Sequence, residues 1–160
     1  MGGIQTSRGV ALSVVLMMLA IVSPAFAQSR ALSARDARDA RRVIRQIDAF
    51  ADAGVLGLQR IGSNTGTLLR RLDAQGASQS RLQSIERFYA RSTSAVRTRQ
   101  AARIDREYNA MRTRLLALSG SADLIEELDV ERFLALSDLD AAEQETLEEL
   151  SSVLTEVISN

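Results

Sequence analysis

An all-α fold, specifically an antiparallel helical bundle with one long, coiled-coil-like helix, is what this sequence predicts, on three observations. No proline occurs after Pro24, so nothing downstream forces a break in helical hydrogen bonding. Large apolar residues recur at alternating steps of three and four, the spacing of one helix face, and no stretch alternates with the period of two that a strand needs. Serine and aspartate caps and glycine-bearing breaks punctuate the apolar runs at helix-sized intervals.

The N-terminus is set apart from this pattern. A polar start with a single cation, Arg8, precedes an apolar run from Val10 to Val22, and Ser23-Pro24-Ala25-Phe26-Ala27 then supplies a helix break and a small-x-small signature. That order is the order of a secretory signal peptide. A run of this length spans only ~20 Å as a helix, against ~30 Å of hydrocarbon in a bilayer, so it is too short for a retained anchor. Residues 1–27 are therefore expected to be a cleavable signal peptide, cut after Ala27, with 28–160 a single helical domain. The expected location is periplasmic or secreted, with no transmembrane span after processing.

Within 28–160 the first helix is expected to open at Ser33, capped with Asp36 at its third position, and to run to Gly54. Its inward face reads Ala40, Val43, Ile44, Ile47, Phe50 and Ala51. A second helix, weakened by Gly57, Gly62 and Gly66, carries Leu58, Ile61, Thr65, Leu68 and Leu72 and stops at Gly76. Ser80 and Gln83 are placed to cap the longest element, reaching Leu118 with a seam of Leu82, Ile85, Tyr89, Val96, Ile104, Tyr108, Met111 and Leu115. At ~58 Å such a helix outreaches a compact domain of this size, so part of it should project or pair elsewhere; a homodimer would serve. Ser119-Gly120-Ser121 breaks the chain. Two short helical pieces follow, with Leu124, Ile125 and Leu128, then Val130, Phe133 and Leu134, as their apolar residues. A last helix capped at Ser137 or Asp140 has the seam Leu139, Leu147, Leu150, Leu154 and Val157.

Composition excludes much chemistry. The chain has no histidine and no cysteine, and all 20 of its basic residues are arginine. Histidine-activated nucleophiles, Schiff-base lysines, thiol redox chemistry and nitrogen- or sulfur-ligated metals are thereby removed. The carboxylate runs, such as Glu143-Glu145-Glu148-Glu149, read as a solvated acidic face, and no tryptophan is present to stack a sugar. The expectation is a non-enzyme without cofactor or metal.

The stretch Leu136-Ser137-Asp138-Leu139-Asp140, with the overlapping Leu139-Asp140-Ala141-Ala142-Glu143-Gln144, partly resembles the LTxxQ-type signature of small periplasmic helical chaperone and stress-sensing proteins. The signature threonine is replaced here, the glutamine is displaced by one position and no second copy occurs. The chain is accordingly assigned to no family from its sequence.

Charge distribution is the most informative remaining feature. Residues 30–114 hold 18 arginines against 8 acids, whereas residues 115–160 hold one arginine, Arg132, against 12 acids. Two consequences compete. The acidic last helix can fold back along the arginines and neutralise them, through acids such as Glu145, Glu148 and Glu149; or the arginines can stay free for an anionic partner. The candidate contacts are Arg91, Arg97, Arg99, Arg103 and Arg106, in a stretch where Val96 is the only large apolar residue between Arg91 and Arg103. The functional expectation is a small exported helical interaction protein, chaperone-like or adaptor-like and non-catalytic, with a protein partner or client. The alternative is an envelope-associated module holding anionic lipid or polymer through the arginine-rich helix. Nucleic acid is disfavoured, because no aromatic residues are interleaved with a single basic stripe.

Overall fold

A computed structural model describes residues 30–159; the expected signal peptide lies outside the described residues. Three helices of nearly equal length carry the fold: α1 (Ala34–Ala74), α2 (Gln79–Leu116) and α3 (Ala122–Ser159). Each packs against both of the others. Cross-helix pairs give the directions. Arg114 near the end of α2 meets Asp36 and Asp39 near the start of α1, and Arg112 near the end of α2 meets Asp129 near the start of α3, so α2 runs antiparallel to both neighbours. Arg70 near the end of α1 meets Glu156 near the end of α3, so α1 and α3 run parallel. At ~1.5 Å per residue each helix is close to 60 Å long, and no helix projects beyond partners of matching length. The bundle is elongated, which removes the expected need for part of α2 to pair elsewhere.

Local chemistry sets the ends. Ser33 caps α1 with a reciprocal box in which the Asp36 amide donates to the Ser33 hydroxyl at 3.2 Å and the Ser33 amide donates to Asp36 at 3.3 Å. Gly76, at φ +77°, turns the chain out of α1: its amide donates to the Asp73 carbonyl at 2.8 Å, and the Ala77 amide donates to Leu72 at 3.0 Å. That pair of bonds needs a left-handed residue, which glycine adopts at least cost. Ser78, not Ser80, precedes α2, and its side chain makes no capping bond. Between α2 and α3 the Ser121 hydroxyl lies 2.7 and 2.9 Å from the Leu115 and Leu118 carbonyls and shares its single proton between them just past the end of α2. The sequence predicts no strand, yet β1 (Arg30–Ala31) and β2 (Leu118–Ser119) form a minimal parallel pair. It ties the segment before α1 to the segment before α3, as the parallel course of those helices allows.

Two expected breaks are absent. The chain does not stop at Gly54, because packing overrides the propensity loss of ~1 kcal/mol per glycine. An added Cβ at Gly54 would collide with Leu139 of α3 and lie 3.2 Å from Gln100 of α2. The missing side chain is what admits Leu139, which is fully buried there. Nor does α3 begin at Ser137 or Asp140; it is continuous, with buried positions at Leu124, Leu128, Ala135, Leu139, Ala142, Thr146, Leu150, Val153 and Val157. The middle of α2 is held by small residues, Thr93 and Ala101, with Val96 half-buried beside them.

The core is divided along the bundle. A large cluster includes Ile47, Leu58, Ile104, Leu115, Leu128 and Leu139, and a small one at the other end holds Leu69, Leu82, Val153 and Val157. Three buried threonines, one from each helix, are absent from both: Thr65, Thr93 and Thr146. Thr93 donates to the Tyr89 carbonyl at 3.0 Å, whereas the Thr65 hydroxyl is buried without a partner.

Candidate functional site

Helical phase dictates where the five candidate arginines go. At ~100° per residue, Arg99, Arg103 and Arg106 share one flank of α2. That flank is turned towards α1, since the Arg103 guanidinium lies 4.7 Å from the Phe50 ring centroid, and Arg114 beyond it pairs with Asp39 at 3.6 Å. Arg99 and Arg106 are exposed and make no ion pair among the described residues. Arg97 projects towards α3, where it contacts Asp140 at 2.5 Å and Glu143 at 3.8 Å. Arg91 is exposed, donates to the Arg87 carbonyl at 3.2 Å and borders a shallow, open depression with Ser84, Arg87 and Ala90. The five do not converge on one site.

The expected latch exists in a smaller form and uses other acids. Arg97 with Asp140 and Glu143, and Arg112 with Asp129 at 3.2 Å, join α2 to α3. Arg132 returns the contact to Asp105 at 2.8 Å and lies 4.9 Å from the Tyr108 ring centroid. Glu145, Glu148 and Glu149 make none of the ion pairs found among the described residues; Glu149 lies instead against α1 at Gly62 and Gly66, where its charge helps to raise the Arg70 pKa. Burial and a hydrogen bond to Asp129 at 2.8 Å raise the pKa of Tyr108, keeping its phenol a donor. On the α1 side, Arg70 and Glu156 pair at 3.0 Å, which lowers the Glu156 pKa and raises that of Arg70.

These contacts leave most of the arginine excess unspent. Arg35, Arg38, Arg45 and Arg60 on α1 are exposed, like Arg81, Arg87, Arg99 and Arg106 on α2, and none joins an ion pair among the described residues. The acids of α3 are likewise mostly free, so α1 and α2 form a basic side and α3 an acidic one. The grooves between helices are open and shallow, as between α1 and α2 beside Arg42, Gln46, Glu107 and Arg114. Among the described residues no three carboxylates converge as metal ligands would, and no helix is long and apolar enough to cross a membrane.

One surface feature escaped the sequence reading. Val130, Phe133 and Leu134, expected as the apolar residues of a short helix, are 52%, 70% and 49% exposed on the continuous α3. Once α3 is continuous, the phase running from Leu128 through Ala135 to Leu139 gives the inward positions to Glu131 and Arg132, which are half-buried. The signal was the small residue Ala135, which carries the seam but does not look like an anchor. No protein-family model matches this chain, and neither a curated protein nor a solved structure shows significant similarity to it.

Proposed function

We propose that this chain is an exported, non-catalytic interaction protein of adaptor type whose basic α1/α2 side takes an anionic partner, such as envelope lipid or polymer. The observation that supports this reading most is the mismatch between charges available and charges paired. Cross-helix ion pairs engage Arg70, Arg97, Arg112, Arg114 and Arg132, while Arg99 and Arg106 share an exposed flank and join no ion pair among the described residues. A purely structural charge set would place its acids opposite those arginines. Guanidinium groups also suit phosphate and carboxylate, which they grip with paired donors.

Binding of residues 28–160 to vesicles with and without anionic phospholipid, across a salt series, tests the proposal. The expected outcome is binding to anionic vesicles only, falling steeply as salt rises. Suppression of aggregation of an unfolded client, insensitive to salt and without vesicle binding, would favour the chaperone-like reading instead.

A further inference from the structure

An exposed apolar triplet lies on α3, the acidic helix, apart from the basic side formed by α1 and α2. Val130, Phe133 and Leu134 stand at i, i+3 and i+4, the spacing that lines up side chains on one helix face, and that face is turned away from the bundle. Scattered apolar residues on a surface need no explanation, but a contiguous set whose burial was given up to Glu131 and Arg132 does. The cost is visible in Glu131: burial, together with the charges of Asp48, Asp138 and Glu127, raises its pKa.

Charge defines what fits. On the same outward line Glu126 and Glu127 lie one to two turns before the triplet and Asp138 one turn after it, all exposed and in no ion pair among the described residues. A second copy of α3 would bring acid against acid, and an anionic membrane would be repelled. We infer that the outer face of α3 around Val130, Phe133 and Leu134 docks a cationic amphipathic helix of another protein, its apolar stripe on the triplet and its cations at Glu126, Glu127 and Asp138. From Glu126 to Asp138 is ~18 Å along the axis, so the partner helix needs only about three to four turns. Apolar anchors in the middle with complementary charge at the rim is the ordinary anatomy of a helix docked on a protein surface.

The probes are two synthetic 15-residue helical peptides with leucine at i, i+3, i+4 and i+7, one with lysines and one with glutamates at all flanking positions, labelled for fluorescence anisotropy. The lysine peptide is expected to bind residues 28–160 and the glutamate peptide not to bind. The double variant Phe133→Ser/Leu134→Ser is expected to weaken lysine-peptide binding about tenfold or more, since the anchors of such contacts dominate their affinity. Glu126→Gln with Glu127→Gln and Asp138→Asn should weaken it severalfold and flatten its salt dependence, whereas Glu145→Gln with Glu148→Gln should leave it unchanged. If the serine variant does not fold, Phe133→Ala alone carries the same test. Undiminished binding in the anchor variants, or equal binding of both peptides, overturns the inference. So does sedimentation equilibrium showing a dimer that Phe133→Ser dissolves, which would assign the face to a second copy. None of these outcomes bears on anionic-vesicle binding by the arginines, so the two proposals fail separately.

Discussion

Replacing two glycines of α1 by alanine separates helix propensity from packing. At Gly57 the added Cβ would meet only the Val96 Cγ1 atom at 3.8 Å, an ordinary contact. Gly57→Ala should therefore gain the full helix-interior difference of about 0.8–1 kcal/mol. At Gly54 the same gain is opposed. The new Cβ would overlap the Cδ2 atom of Leu139, which is fully buried, and would crowd Gln100 at 3.2 Å. Overpacking of this kind costs ~1–3 kcal/mol, so Gly54→Ala should be neutral to destabilising and lie below Gly57→Ala by about that amount. Urea denaturation followed by circular dichroism at 222 nm measures both, with equal slopes confirming that the unfolded states are alike. Equal stabilisation by both variants would mean that α3 does not approach α1 closely at Gly54.

Three further outcomes follow from the core and the caps. Thr65→Val should stabilise by ~1 kcal/mol because it removes a buried hydroxyl without a partner, whereas Thr93→Val should not, since Thr93 donates to Tyr89; a matching gain at both sites in chemical denaturation would contradict this. Leu150 is fully buried on α3, so Leu150→Ala should cost ~2–5 kcal/mol, and an unchanged urea midpoint would place the end of α3 outside the core. The Ser33 hydroxyl, then the Arg30 guanidinium, lower the Asp36 pKa to about 2. A carboxyl depressed in the folded state adds stability above its unfolded value near 4 and loses it as pH falls towards 2. Asp36→Asn should therefore flatten the acid limb of a plot of stability against pH between 4 and 2, and an unaltered limb would remove Asp36 from the account.

Local signals were legible in the sequence and long-range ones were not. The Ser33 and Asp36 cap, the stop at Gly76, the break at 119–121 and the inward face through Ala40, Val43, Ile44, Ile47 and Ala51 all depend on residues within a few positions of one another, and all are present in the structure. The continuity of α1 depends on Leu139, 85 positions from Gly54, and no propensity near Gly54 reports it. In α3 the seam passes through Ala135, Ala142 and Thr146. A reading that follows large apolar residues steps off that line onto Val130, Phe133 and Leu134 and turns the surface inside out. The charge split was visible from the start, but its pairing was not: whether Arg97 or Arg99 meets an acid is decided by a rotation of ~200° between them on one helix.

That rotation provides the most direct test of the claim that the arginine excess is a working surface. Replace Arg99, Arg103 and Arg106 by glutamine in one variant and Arg97 alone in another, and measure the melting temperature and the affinity for anionic vesicles of both. An arginine near an anionic surface is worth ~1 kcal/mol, so the triple variant should lose on the order of 100-fold in affinity while melting within a few degrees of the parent. Arg97→Gln, which removes the contacts with Asp140 and Glu143, should keep its affinity and lose up to ~1 kcal/mol of stability. The opposite pattern, with the triple variant unstable and its affinity intact, would show the arginines to be structural and contradict the account.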